Sequence, residues 1–292
     1  MVRILQCSEQ SSVWVFIAEM DMGSGERPRF LFDIRNFAEK LKTKQSGDDT
    51  NFYFFVDNVD QLKSVLEPAG VSVNKVYHIS QFEIEMSKLS GIPFLGCVVS
   101  SHGNINGAAT LNPNKILSCM NKIPGLTDGL LLLGQCFAGI FNVPTTSKIC
   151  VIGASNFCES LSAKFEEVSW LANIFLYFFS RWFIENNNQD VDGDGNCSIL
   201  DAYKYASFHT SLLLQNVKAQ FSKNFHIWCT NEVKKLQDIS NQIIAPKEGQ
   251  NIVELQAVYK STQLELDRNL SLYHNNQEPW ISDMNVAMRL II

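Results

Sequence analysis

The sequence predicts an α/β protein with a mostly parallel central sheet and helices on both faces, and two observations carry this prediction. Short apolar runs of strand length alternate with longer stretches whose apolar residues recur at helical spacing. The runs at 94–100 and 130–134 are apolar almost throughout, as strands are when both faces of a parallel sheet are covered. The length of 292 residues and a hydrophobic content of 46% suit a single large domain spanning 1–292.

The elements of the first half follow from the spacing of apolar residues. Strands are expected at 13–18, 52–56, 73–79, 94–100, 130–134 and 148–154. A helix is expected at 30–44, where Phe30, Ile34, Phe37 and Leu41 share one face. A second helix, at 59–66, ends before a proline and a glycine.

The second half predicts more helix. We expect a helix at 198–214, a strand at 224–229, and two amphipathic stretches that form an appended helical hairpin at 231–275. This hairpin either packs against the domain or offers a surface to a partner. The apolar run at 168–184 is short for a membrane span and carries Asn173 and Arg181, so it predicts a buried helix and no membrane span.

Composition excludes several classes of partner and compartment. The net charge of −6 is spread along the chain without a basic cluster, which argues against a nucleic-acid partner. The eight cysteines form neither a disulfide framework nor a Cys-x-x-Cys zinc pattern, so we expect free thiols and a reducing compartment. The first residues do not resemble a secretory signal, which predicts a cytoplasmic protein at synthesis, with signal-independent export left open. The oligomeric state is left open as well.

Two polar motifs stand directly after two of the apolar runs. Ser101-His102-Gly103 follows the run at 94–100, and Gln135-Cys136-Phe137-Ala138-Gly139 follows the run at 130–134. Parallel strands end at one edge of a sheet, where such sheets bind ligands, so we expect the motifs to lie together. A cysteine beside a histidine can act as a nucleophile with its proton acceptor. The alternative is a turn histidine and one more buried thiol.

These motifs resemble those of the cysteine peptidase clan that holds legumains, caspases and bacterial caspase-like peptidases, the legumain-like branch most closely. The strand and loop at 149–160 and the acidic segment at 190–206 agree with the same family in the same order. The resemblance implies a caspase–hemoglobinase-like three-layer fold and a cysteine endopeptidase that acts through an acyl-enzyme thioester. Gly134 and Ala138 depart from the family, since many relatives carry Asp and Ser at these positions.

The resemblance also implies roles for single residues. Cys136 would be the nucleophile, His102 the general acid and base, and the backbone amides of Gly103 and Cys136 the oxyanion site. The substrate pocket would involve Asn156, Glu159 and Ser160. An acid at Glu159 would favour a basic substrate side chain, whereas Asn156 and Ser160 would favour an amide such as asparagine. Peptide or protein substrates are the expected partners. The alternatives are a non-catalytic module that binds a peptide or protein, and a peptide ligase with the same dyad.

The segment 190–201 matches a twelve-residue calcium loop position by position. The expected ligands are Asp190, Asp192, Asp194, Asn196, Ser198 and Asp201, with Gly195 at the turn. Carboxylates this close repel one another unless a cation lies between them, which favours a structural Ca²⁺. An aspartate at position 12 is shorter than the usual glutamate. The alternative is an acidic turn in water without an ion.

Overall fold

The chain folds around a seven-stranded mixed sheet. The computed structural model describes residues 5–6, 12–19, 29–45, 47–108, 111–142, 148–158, 160, 172–185, 190–247, 249–274 and 277–291. The strands are β1 (Leu5–Gln6), β2 (Ser12–Ala18), β3 (Phe52–Val56), β4 (Val76–His78), β5 (Phe94–Ser100), β6 (Gly103–Asn104), β7 (Gly107–Ala108), β8 (Asp128–Leu133), β9 (Ile149–Gly153), β10 (Trp280–Ile281) and β11 (Leu290–Ile291). The main sheet has the order β10-β9-β8-β5-β2-β3-β4, and only β10 runs antiparallel to its neighbour.

Helices cover both faces of this sheet. The helices of the described residues are α1 (Arg29–Lys44), α2 (Val59–Leu66), α3 (Phe82–Ser87), α4 (Pro113–Asn121), α5 (Ile174–Trp182), α6 (Ile199–Ile244), α7 (Ile252–His274) and α8 (Met284–Arg289). Of these, α1 packs on one face of the sheet, and α3 and α4 pack on the other. Side chains alternate between the faces of a strand, and β2 shows the consequence. Val15 belongs to a core cluster with residues of α3 and α4, whereas Trp14 and Phe16 both lie beside the Phe37 ring of α1 on the other face. The α/β class with a mostly parallel, doubly covered sheet is confirmed.

The strand boundaries predicted from the sequence agree closely with those of the observed sheet. The predictions for the second half of the chain differ from the structure. The expected strands at 13–18, 52–56, 94–100 and 148–154 are present, and the one at 73–79 is shorter. The expected strand at 224–229 is wrong, because these residues lie inside the 46-residue helix α6. A short apolar run cannot be assigned to strand or helix from periodicity alone. The expected helix at 168–184 is described from Ile174 onward as α5, and residues 161–171 lie outside the described residues.

The chain divides into two compact units. The first consists of Met1–Thr210 with Gln277–Ile292, and the second is Ser211–Asn276. The hairpin expected at 231–275 falls within the second unit, which contains the greater part of α6 and all of α7. None of the helices in the described part of the chain combines the length and the apolar character of a bilayer-spanning segment.

One charged residue lies on the buried face of α1. Asp33 is only 5% exposed, and its carboxyl group accepts hydrogen bonds from the Ser100 hydroxyl at 2.7 Å and from the Ala172 amide at 3.1 Å. Burial raises the pKa of Asp33 to about 8, although these hydrogen bonds and the charge of Arg29 act in the opposite direction. The folded protein therefore favours the protonated acid.

This shift predicts a pH-dependent effect of Asp33→Asn on stability. The pKa is raised on folding, so the stability associated with Asp33 is fully present below about pH 4 and is lost as the pH rises towards 8. Asparagine does not titrate, and it keeps an oxygen for the Ala172 amide and an N–H group for Ser100. The variant should gain free energy of unfolding over wild type between these pH values, by at most about 1.4 kcal/mol per pH unit.

Urea unfolding of both proteins at about pH 5 and pH 8 measures this gain. Asp238→Asn is the matched control, because Asp238 is exposed on α6 and its carboxylate stays in water in both states. An Asp33→Asn effect of the same size at both pH values would contradict the prediction.

Candidate active site

The histidine and cysteine motifs lie at the same edge of the sheet. β5 ends at Ser100, two residues before His102, and β8 ends at Leu133, three residues before Cys136. These strands are parallel neighbours in which Val99 pairs with Leu133. The sheet therefore places the two turns side by side at its carboxyl edge, as the sequence predicts. His102 is exposed there and Cys136 is partly buried.

The two turns touch through their backbones at Gly103. A Cβ atom on Gly103 would overlap the carbonyl oxygen of Cys136 and would lie 2.6 Å from Cγ of Gln135. Only glycine has no side chain to collide with the neighbouring turn, so this position requires it. The contact sets how closely the residue after His102 approaches Cys136.

The sulfur of Cys136 faces Ser160, which the sequence analysis assigned to the substrate pocket. The Ser160 amide donates a hydrogen bond to Sγ at 3.3 Å, and the Ser160 hydroxyl lies 3.6 Å from the same atom. The hydroxyl also donates to the carbonyl oxygen of Gly134 at 3.2 Å. Hydrogen bonds to an ionised acceptor are stronger than those to a neutral one. Ser160 is therefore placed to bind the sulfur directly, most strongly when it carries negative charge.

The remaining residues of the expected pocket have different positions. The Asn156 carbonyl accepts a hydrogen bond from the Gly139 amide at 2.9 Å, and its side-chain oxygen lies 2.7 Å from where a Cβ atom of Gly139 would be. Asn156 therefore supports the cysteine turn through its contacts with Gly139. Glu159 lies outside the described residues.

The backbone is strained directly after the nucleophile candidate. Phe137 has a φ of 55°, and in the described ranges it is the one non-glycine residue with positive φ. Its amide donates to the Cys158 carbonyl at 2.9 Å. Such a conformation costs of order 1–3 kcal/mol and persists where the surroundings enforce it, which is common at functional sites. The chain turns sharply at Phe137, directly after Cys136 and four residues after the end of β8.

Other residues compensate for the two departures from the family pattern. The Ser155 hydroxyl donates to the Gln135 carbonyl at 3.1 Å and accepts from the Ala138 amide at 3.5 Å. The Asn173 side-chain amide donates to the Gly134 carbonyl. A Cβ atom on Gly134 would overlap Leu176, so the space of a larger residue is already filled. Gly134 and Ala138 therefore do not leave the cysteine turn without hydrogen bonds.

Two carboxylates extend the edge beyond His102. Glu19 directly follows β2 and Asp57 directly follows β3, so Cys136, His102, Glu19 and Asp57 stand at the ends of four consecutive strands of the sheet. Burial raises the pKa of Glu19, the nearby Asp57 raises it further, and His102 lowers it. The histidine and both acids thus share one electrostatic neighbourhood. The sequence analysis missed both acids, although each follows an apolar strand.

The acidic loop brings three of its expected ligands together. Oxygen atoms of Asp190, Asp192 and Asp194 lie within 4.8 Å of one another on the surface. Asp201 is fully buried instead, and its two oxygens accept hydrogen bonds from the Val191 amide at 2.9 Å and from the Ser198 amide and hydroxyl at 2.9 and 2.8 Å. The three exposed carboxylates could hold a cation, whereas Asp201 holds the loop against the start of α6.

Two of the expected ligands, Asp192 and Asn196, also make contacts of their own. Lys204 forms an ion pair with Asp192 at 2.6 Å, and the resulting hydrogen bond lowers the pKa of Asp192. The Asn196 amide donates to Asp194 at 2.8 Å. The loop thus uses its carboxylates to organise its own backbone.

The cysteines of the described ranges are free thiols with different environments. They are Cys97, Cys119, Cys136, Cys150, Cys158, Cys197 and Cys229. Cys97 and Cys150 are buried, whereas Cys119 and Cys229 are only partly buried. Burial raises the pKa of the Cys150 thiol to about 12 and raises that of Cys97 strongly. These two thiols are poor nucleophiles at neutral pH.

Comparisons with known proteins find little sequence similarity. No family model matches the chain, and no curated protein matches it. Among solved structures, that of pro-Sf-caspase-1 is similar, with 11% sequence identity and a TM-score of 0.47 over 94% of this chain and 91% of that chain.

The contact at Gly103 generates a prediction for Gly103→Ala. The added methyl group meets backbone atoms of Cys136, which cannot rotate away, so the two turns must separate. A displacement of about 1 Å at a reacting centre can lower a rate about 100-fold. We therefore expect Gly103→Ala to slow alkylation of Cys136 by iodoacetamide by at least about tenfold.

Gly129→Ala, at the opposite end of β8, is the matched control. Its methyl group meets two side-chain atoms at 3.3 and 3.4 Å, which can shift, and it is far along the strand from the cysteine. Equal alkylation rates for Gly103→Ala and wild type would show that the approach of the two turns does not govern the thiol.

Proposed function

We propose that the protein is a cysteine endopeptidase with a Cys136–His102 dyad. The observation that carries this proposal is the backbone contact at Gly103, which joins the histidine turn to the cysteine turn at the carboxyl edge of neighbouring strands. The Cys136 thiolate would attack the peptide carbonyl carbon and form a carbon–sulfur bond. The carbon–nitrogen bond would then break as the His102 imidazolium gives its proton to the leaving amine. Water would hydrolyse the thioester, with His102 accepting the water proton.

The oxyanion of this reaction would be bound by backbone amides. The amides of Gly103 and Cys136 belong to the two residues whose backbones touch. Donors fixed in this way need no rearrangement when charge develops on the carbonyl oxygen. Ser160 would meanwhile donate its amide to the sulfur. A caspase–hemoglobinase-like architecture is part of this proposal and is supported by the neighbouring strand ends of the two motifs.

The two alternative functions differ in what happens at the cysteine. A non-catalytic module would retain the cleft without reaction, and it is favoured by Gly134 and Ala138. Ser155 and Asn173 supply hydrogen bonds to the cysteine turn despite those departures, which supports the catalytic interpretation. A peptide ligase would use the same thioester and would differ only in accepting an amine in place of water.

The charges of the site favour substrates with positively charged side chains. Glu19 and Asp57 stand at the edge next to His102, and an acid attracts a cationic side chain. The Ser160 hydroxyl, which would favour an amide, already donates to the Gly134 carbonyl, and Asn156 contacts the cysteine turn through its backbone carbonyl. We therefore propose cleavage after lysine or arginine, with cleavage after asparagine as the alternative.

A panel of fluorogenic peptides with arginine, asparagine or aspartate before the scissile bond tests the reaction. Wild type should cleave the arginine peptide fastest, and Cys136→Ala and His102→Ala should each lose at least about 100-fold in kcat/KM. Cys150→Ala is the matched control, because its buried thiol has a pKa of about 12 and takes no part. A wild-type protein that binds these peptides without cleaving them would favour the non-catalytic module.

We also propose that the acidic loop holds a structural Ca²⁺ ion, supported by the three clustered carboxylates. Ions that bind only the folded state stabilise it by mass action, by about 2.7 kcal/mol at a concentration 100 times the dissociation constant. Calcium should therefore raise the melting temperature of wild type. Combined Asp192→Ala and Asp194→Ala substitutions should abolish this increment.

The same melting experiment with Asp267→Ala, an exposed acid of α7, should leave the calcium increment unchanged. The readout is the difference between the melting temperatures in calcium and in EGTA. The variant lacks the ion pair of Asp192 with Lys204 in both solutions, so this loss cancels in the difference. Identical wild-type melting curves in calcium and in EGTA would refute the ion site.

A further inference from the structure

Asp33 is a buried acid that the proposed reaction does not use. It lies on α1, where it is largely buried, with 5% exposure. Its carboxyl group joins two segments that are distant in the sequence, Ser100 at 67 residues and Ala172 at 139 residues. Each of these segments leads directly to one of the two turns of the site.

The first connection leads to the histidine. The Ser100 hydroxyl donates to Oδ2 of Asp33 at 2.7 Å in a buried hydrogen bond. Ser100 is the last residue of β5, and His102 is two residues further along the chain. Asp33 therefore fixes the point from which the histidine turn leaves the sheet.

The second connection leads to the cysteine. The Ala172 amide donates to Oδ1 of Asp33 at 3.1 Å, and the next residue, Asn173, caps α5 by accepting from the Leu176 amide at 2.8 Å. The side-chain amide of Asn173 donates to the Gly134 carbonyl. The Gly134 carbonyl also accepts a hydrogen bond from the Ser160 hydroxyl. The backbone amide of Ser160 in turn donates a hydrogen bond to the Cys136 sulfur.

Stability alone does not account for an acid at this position. Its burial opposes ionisation, and replacing a buried polar group together with its partners by apolar groups of the same shape can be nearly neutral for stability. The geometry does account for it, because one carboxyl group with two oxygens can accept from both connections at once.

We propose that Asp33 is a positioning residue, which fixes the position of the His102 turn relative to the Cys136 turn through Ser100 and through the Asn173 cap. This inference rests on the proposed dyad. Asp33 touches neither substrate nor the reacting atoms. Its effect should therefore be transmitted entirely through the separation of His102 from Cys136.

A double-mutant cycle on the alkylation of Cys136 by iodoacetamide tests this proposal. The proteins are wild type, Asp33→Ala, His102→Ala and the double variant, each assayed below its own melting temperature. We expect His102→Ala to slow alkylation and Asp33→Ala to slow it about tenfold. The double variant should react no more slowly than His102→Ala, because Asp33 has no remaining histidine to position.

Two further variants keep the result interpretable if Asp33→Ala fails to fold. Asp33→Asn retains an acceptor for Ala172 and a partner for Ser100, so it should restore near wild-type alkylation. Ser100→Ala removes only the connection to the histidine and should slow alkylation by a severalfold factor. Asp128→Ala is the matched control, since this buried acid pairs with Arg289 at the opposite end of β8 and should leave the alkylation rate unchanged.

The outcomes separate the two proposals. If His102→Ala does not change alkylation of wild type, the dyad itself is refuted. If His102→Ala slows alkylation but Asp33→Ala and Ser100→Ala do not, the dyad stands and the positioning role is refuted. Additive effects of Asp33→Ala and His102→Ala would likewise refute it, because they would show that Asp33 acts on the cysteine independently of the histidine.

Discussion

The pairing of β5 with β8 is the constraint on which the site depends. Every residue of both strands is buried, so a shift of register by one residue would exchange the faces of all their side chains. The hydrophobic cores on both sides therefore fix Val99 opposite Leu133. That register in turn fixes which residues follow at the sheet edge, and it brings Gly103 against Cys136. Packing in the core thus determines the geometry of a polar site outside it.

The polar groups at this edge are organised around the carbonyl of Gly134. It accepts from Asn173 at the start of α5 and from Ser160 in the loop after β9. A carbonyl at the end of a strand has lost its ladder partner, and leaving it unsatisfied while buried would destabilise the fold. The same donors that satisfy it also hold the cysteine turn. The hydrogen bonds that satisfy the Gly134 carbonyl therefore also support the proposed nucleophile.

The histidine side of the edge differs in chemical character from the cysteine side. Around Cys136 the contacts come from amides and hydroxyls, such as those of Ser160 and Ser155. Beyond His102 the strand ends carry the acids Glu19 and Asp57, and the Phe30 ring lies edge-on to the imidazole at 4.9 Å. Neutral donors suit a sulfur that becomes anionic, and acids suit an imidazole that becomes cationic. The division matches the charges that the proposed reaction would develop.

The amino-acid sequence alone was enough to predict the alternation of strands and helices, the two strand-end turns and the cluster of acids at 190–194, because apolar periodicity and short motifs are local properties. It did not determine the continuation of α6 through 224–229, since a short apolar run suits either a strand or a helix. The roles of Asp33 and Asn173 at the site follow only from contacts that form in the folded chain. Asp33 stands on the apolar face with Phe30 and Phe37, and Asn173 precedes an apolar helix, so each left a local signal. Their partners are 39 to 139 residues away, and no spacing in the sequence encodes such pairs.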